Sequence, residues 1–264
     1  MSNALIQLIQ ELTAGKLHVV DLTQPLSPES PLLVLPEPWA NTPPFRMWEL
    51  SHYDERGPAW YWNAFETGEH TGTHFDAPVH WVSGKDLPDN TVDRIPVSRF
   101  VGPACVIDVA ADVKSNPDFL LTPEHVTAWE QKHGRIPAGA WVLLRTGWSN
   151  RHAGQDTNYS GDEAPRTPGW SSQCSKLLAH ERDILGVGVE TIGTDAGKAA
   201  GFSPPFSNHY FMHGSGKFGL ASLCNLDQLP PTGAIVIAAP LKIVNGSGSP
   251  VRVLAIVPAK SPHP

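Results

Sequence analysis

The sequence predicts a single β-rich α/β domain over residues 1–264, and three features lead there. Six short apolar runs bounded by turn formers read as strands, a few segments carry helix-start signals, and 26 prolines punctuate the stretches between. With 41% hydrophobic residues, such a chain can bury a sizeable core without a lipid-spanning run.

Taken in order, residues 1–15 place apolar side chains at positions 5, 6, 9 and 12, an amphipathic helix. No cationic segment precedes them and Glu11 interrupts the apolar run, so they do not read as a secretory leader. "KLHVVDL" (16–22) is the first strand, followed by proline-rich loops from Pro25 to Pro44 and again at Pro58. "ACVIDV" (104–109) is the second. At Thr122, Thr-Pro-Glu supplies a cap, a first-turn proline and an early acid for a helix. "WVLLRT" (141–146) is a third strand, and "HAGQDTNYSGDEAPRTPGW" (152–170) reads as a surface excursion. A second helix starts at Ser171 or Ser172 and runs through "QCSKLLAHER". "ILGVGVET" (184–191), "AIVIAAP" (234–240) and "VRVLAIV" (251–257) complete the strands, most of them apolar enough to be buried on both faces.

The formal charge of −7 is scattered, with no basic stripe to grip phosphates or an anionic membrane, so neither nucleic acid nor a membrane is expected as a partner. Three cysteines, Cys105, Cys174 and Cys224, are odd in number and lack CxxC spacing, which disfavours a disulfide framework or a zinc knuckle and fits a reducing cytoplasm.

The chemistry concentrates in "GEHTGTHFDAPVHW" (68–81), which holds three of twelve histidines. His70, His74, Asp76 and His80 all lie at even positions and would leave one face of an extended segment. On a straight strand His70 and Asp76 would stand roughly 20 Å apart, too far to share an ion, so the segment must bend, and Gly72 permits it. Two imidazoles and a carboxylate form a three-ligand set that leaves positions open for water and substrate, as catalytic metal sites do. His80, left over, has a side chain suited to moving protons near neutral pH.

"HTGTHFDAPVH" resembles the signature HxGTHxDxPxH of the metal-dependent cyclase family, whose members include kynurenine formamidases and isatin hydrolases. "VVDLTQPLSP", "LLRTGW" (143–148), "GVETIGTDAG" (188–197) and "NLDQLPPTGA" (225–234) look like further landmarks of that family. The resemblance implies a swivelling β/β/α domain that dimerises, with His70, His74 and Asp76 as metal ligands and His80 as the catalytic histidine. One departure bears on the metal count. Dinuclear members use a later histidine and a glutamate before an "NL" element; His209 can supply the first, but Ala221 stands where the glutamate would be. The resemblance then points to one divalent ion, Mn²⁺ with Zn²⁺ as the alternative, and to Ser222 as a possible member of the metal's shell. The implied reaction is opening of a cyclic amide, isatin to isatinate; the alternatives are deformylation of N-formylkynurenine and a noncatalytic metal-binding module.

A flat aromatic amide would be held by rings. Trp60, Trp62 and Phe65 precede the motif and Trp81 follows it, so these four are expected to face substrate. Phe211 and His213 follow His209 at a period of two and are expected to line the opposite wall, with His209 and His213 contacting substrate. Asp195 reads as a strand-end residue that holds a loop near the site, and "GSGK" (214–217) as a flexible turn.

Overall fold

All six apolar runs form strands in the computed structural model, which describes residues 3–35, 37–150 and 166–259. Helix α1 (Ala4–Thr13) leads into β1 (Leu17–Asp21), and β2 (Arg46–Asp54) and β3 (Gly57–Glu66) form a hairpin. The motif follows as β4 (His74–Asp76) and a 3₁₀ turn at Pro78–His80. Next come β5 (Val101–Asp108), α2 (Ala110–Ser115), β6 (Leu120–Leu121), α3 (Pro123–His133), β7 (Ala140–Arg145) and β8 (Gly169–Trp170). The remainder is α4 (Ser172–Glu181), β9 (Ile184–Val189), α5 (Ser207–Gly214), β10 (Phe218–Ala221), β11 (Ala234–Ala238), β12 (Gly248–Pro250) and β13 (Val253–Pro258).

Nine strands share one mixed sheet in the order β1-β13-β11-β5-β7-β9-β10-β4-β12. Its centre, β5 to β10, is parallel, and the strands on either side are antiparallel. The central strands are buried on both faces because successive side chains enter different cores. On β7, Trp141 and Leu143 join Phe75 and Phe218 on one side, whereas Val142 and Leu144 meet Val126 and Leu178 from α3 and α4 on the other. The outer strands β11 and β13 instead alternate buried and more exposed positions.

Both expected helix starts hold. Thr122 and His125 form a reciprocal cap on α3 with Pro123 in its first turn, and the Ser171 hydroxyl accepts from the Cys174 N–H at 3.1 Å. Glu130 of α3 takes two hydrogen bonds from Arg182 beyond α4, each 2.8 Å, which fastens the two helices together. The surface excursion is corrected in part. Residues 151–165 lie outside the described residues, but Thr167 and Trp170 are buried and β8 pairs with β6, because Trp170 supplies one of the largest side chains of the second core.

Among the described residues no helix is long and apolar enough to cross a membrane, and Cys105, Cys174 and Cys224 are all free thiols.

Candidate metal centre

The motif folds as its composition demands. Gly72 sits at φ +63°, the left-handed region that glycine enters at least cost, and reverses the chain between His70 and β4. Within β4 the two-residue period sends His74 and Asp76 to one face and Phe75 to the core. Strand β4 lies between β10 and β12, whose partners in register are Ala221 and Pro250 for His74, and Gly219 and Gly248 for Asp76. Gly248 is obligatory, since a Cβ there would stand 2.3 Å from the Phe75 carbonyl oxygen and 2.6 Å from His70 Cε1.

The bend closes the expected gap. His70 Nδ1 lies 2.8 Å and His74 Nε2 3.3 Å from Asp76 Oδ1, and these donor atoms all fall within 4.8 Å of one another. Hydrogen bonding at the far side of each ring fixes which nitrogen faces Asp76. His74 Nδ1 lies 2.8 Å from the Gly72 carbonyl, an acceptor only, so Nδ1 carries the proton and the neutral ring presents a bare Nε2. His70 Nε2 lies 2.9 Å from Ser247 Oγ, and that hydroxyl gives its own proton to Glu69 Oε2 at 2.5 Å. Ser247 must therefore accept from His70 Nε2–H, which leaves Nδ1 bare and 2.8 Å from a carboxylate oxygen. In the neutral ring two acceptors thus face each other at contact distance, an arrangement that a cation between them, a proton or a metal ion, would resolve. The donor set of two imidazoles and a carboxylate suits a divalent ion.

Electrostatics agree. Burial opposes charge on both Asp76 and His74, yet the carboxyl is held well below its usual range, first by His74 and then by His70, and His74 is lifted by Asp76. The pocket favours positive charge beside this carboxylate.

His80 is stacked against His70, their ring centroids 3.8 Å apart, and lies within 6.0 Å of the His209 and His213 rings. Burial, followed by repulsion from His70, His209 and His213, pushes its pKa well down despite the pull of Asp76. These surroundings favour the neutral imidazole, the form able to accept a proton.

The opposite wall is built differently from the period-two expectation. Residues 207–214 are helical, so His209 and His213, one turn apart, share the face toward the site, while Phe211 turns away to His180 and the second core. Asp195 caps this helix, accepting from the Asn208 and His209 N–H groups at 2.8 and 3.2 Å, and takes the His209 Nδ1–H at 2.5 Å. Burial lowers the His209 pKa, but Asp195 outweighs it and the net direction is up. His213 gives Nδ1–H to the Lys217 carbonyl at 3.1 Å, is pushed down to about 4 by burial and then by His209, and keeps a buried Nε2 with no hydrogen-bond partner. Asp76, His209 and His213 make a second cluster of converging donor atoms.

Of the aromatic residues read from the sequence, Trp81 lies against the site, its ring 4.8 Å from that of His209. Trp60, Trp62 and Phe65 lie on the β2–β3 hairpin, about half exposed, with Trp60 against Trp62 and Phe65 against Phe45. Ala221 is buried beside His74, and Ser222 has left-handed backbone with its carbonyl accepting the Thr73 hydroxyl at 2.6 Å. Glu69 and Ser247 carry no signal in the local sequence pattern; Ser247 comes from a segment, "NGSGS" (245–249), far from the motif in the chain.

The family model described as "Putative cyclase" matches residues 20–196. The isatin hydrolase of Roseibium aggregatum is 47% identical over 258 residues, covering 97% of this chain and 98% of that protein. The kynurenine formamidase of Salinibacter ruber is 31% identical over 186 residues, 69% of this chain and 74% of that protein. Among solved structures, isatin hydrolase A from Labrenzia aggregata bound to benzyl benzoate is 52% identical with a TM-score of 0.94, covering 97% of this chain and all of that one. An isatin hydrolase bound to the product analogue thioisatinate is 46% identical with a TM-score of 0.94, over 98% and 100% of the two chains.

Proposed function

The chain belongs to the cyclase family, and from that premise we propose that it is a single-domain, metal-dependent hydrolase that opens the lactam of isatin to isatinate. The observation that carries the substrate is the likeness to isatin hydrolases over nearly the full length of both chains. His70 Nδ1, His74 Nε2 and Asp76 Oδ1 are the atoms that would hold the ion, and Mn²⁺ is the ion we assign to them. A divalent cation there supplies Lewis acidity toward a carbonyl oxygen and a water. With Ala221 in place of a carboxylate, we assign one metal, with Ser222 in its outer shell.

His80, neutral and beside the ligands, takes a proton from the attacking water and returns it to the departing amide nitrogen. His209, held by Asp195 through Nδ1–H and favoured as the cation, presents Nε2–H to the oxygen on which negative charge develops. The bare Nε2 of His213 offers an acceptor to the substrate N–H, and the Trp81 ring gives the flat substrate an apolar wall.

We further assign a homodimer in the cytoplasm. Three free thiols fit the compartment. The hairpin supplies the interface: eight large apolar side chains between Met47 and Phe65 are 38 to 65% exposed. At about 100 Å² each they offer roughly 800 Å², one side of a standard interface. Trp60, Trp62 and Phe65 are assigned to substrate binding on this arm.

The test is the loss of isatin's visible absorbance with purified protein and added Mn²⁺, beside N-formylkynurenine under the same conditions. Isatin opening that a chelator stops is the expected result. Rapid deformylation without isatin turnover would replace the lactam reading with an arylformamidase.

A further inference from the structure

We propose that Ser247 and Glu69 are positioning residues that set His70 in the tautomer able to bind metal through Nδ1; the inference rests on the assignment of His70 as a ligand. The three side chains form one line: Glu69 Oε2 accepts from Ser247 Oγ at 2.5 Å, and Ser247 Oγ accepts from His70 Nε2 at 2.9 Å. Glu69 Oε2 also accepts the Ser247 backbone N–H at 3.2 Å, so the serine gives both of its donors to one carboxylate oxygen, and turning its hydroxyl toward His70 would forfeit the bond to that oxygen. A serine free to donate would stabilise the other tautomer, with the proton on Nδ1 and directed at Asp76, the form that cannot coordinate there. The carboxylate at the far end keeps the hydroxyl proton directed away from the ring.

The backbone places this line as tightly as it places the ligands. Ala77 N donates to the Ser247 carbonyl at 2.9 Å, and the next residue, Gly248, pairs with Asp76 in the β12–β4 ladder. Only a residue without Cβ fits at 248, because the strand passes against the His70 ring itself. The segment 245–249 thus delivers a hydroxyl to the outer nitrogen of one ligand.

The test is Mn²⁺ affinity of the apoprotein by calorimetry, with the visible spectrum of the Co²⁺-loaded protein as a second readout. Ser247→Ala is expected to raise the Mn²⁺ Kd by roughly 10- to 100-fold, and Ser247→Thr, which keeps the hydroxyl, to restore it to within a few-fold of the parent. Glu69→Ala should weaken binding in the parent and add little on top of Ser247→Ala, because it acts through the serine. Equal Kd values for Ser247→Ala and the parent, or additive losses in the double variant, would overturn the relay. Should Ser247→Ala fail to fold, Glu69→Gln decides: an unchanged Co²⁺ spectrum and Mn²⁺ Kd refute the proposal, and a shift in both supports it. His70→Ala separates the two levels. If it binds Mn²⁺ as tightly as the parent, the ligand assignment and the relay fall together; if it loses Mn²⁺ while Ser247→Ala does not, the relay falls alone.

Discussion

His80 differs from its neighbours in what its ring is free to do. His70, His74, His209 and His213 each spend one nitrogen on a carbonyl, hydroxyl or carboxylate, a bond that fixes the other nitrogen's role. His80 stands among them as a neutral base. Replacing it with alanine is expected to lower kcat by about 10²- to 10⁴-fold while metal content, measured by mass spectrometry, stays near one per chain. Loss of the ion in that variant would make His80 a ligand instead. Asp76→Ala removes the oxygen on which both ligand imidazoles converge, so metal and turnover should disappear together, and a metal-replete, active variant would refute the site.

At the level of elements, the strands and capped helices of the centre were legible because local chemistry decides them: apolar runs for β5, β7 and β9, Thr-Pro-Glu for α3, Ser171 for α4. The motif's four side chains and its bend at Gly72 were legible for the same reason. What could not be read depends on partners distant in sequence. Segment 207–214 carries Ser, Asn and Gly and forms a helix with help from Asp195, which satisfies its first N–H groups; without that cap in view, period two was as plausible as 3.6. The role of Ser247 arises from the β12–β4 register, which no local pattern encodes. The α3–α4 tie is similarly nonlocal, and it makes stability depend on pH. The Arg182 guanidinium holds Glu130 below the ordinary 4.5 despite partial burial, so its contribution is fully present above that value and is lost as pH falls through the folded pKa. Glu130→Gln should cost about 2 kcal/mol near pH 7, read as a lower Tm, and the gap from the parent should shrink in acid. A gap independent of pH would show that the charge contributes nothing.

The whole molecule is unbalanced in its surface. A two-stranded ribbon is marginal in water by itself, yet β2 and β3 stay paired from Arg46–Glu66 to Asp54–Gly57, through two register shifts, with large apolar residues on both faces. Trp48 and Trp62 lie on one of those faces, and α1 adds an exposed Leu5, Ile6 and Ile9. Sedimentation should find two copies for the parent and one for Trp48→Ser combined with Trp62→Ser; a monomeric parent would remove the hairpin's assigned partner. The position of β4 between β10 and β12 also has a consequence for how the enzyme is made. The ligands at 70–76 leave the ribosome early, but both flanking strands and the serine behind His70 are synthesised much later, the last of them at 247–250. A nascent chain carries the complete metal-binding signature long before it has a site, and the full set of long-range contacts that organises its ligands is complete only once translation has passed Pro250.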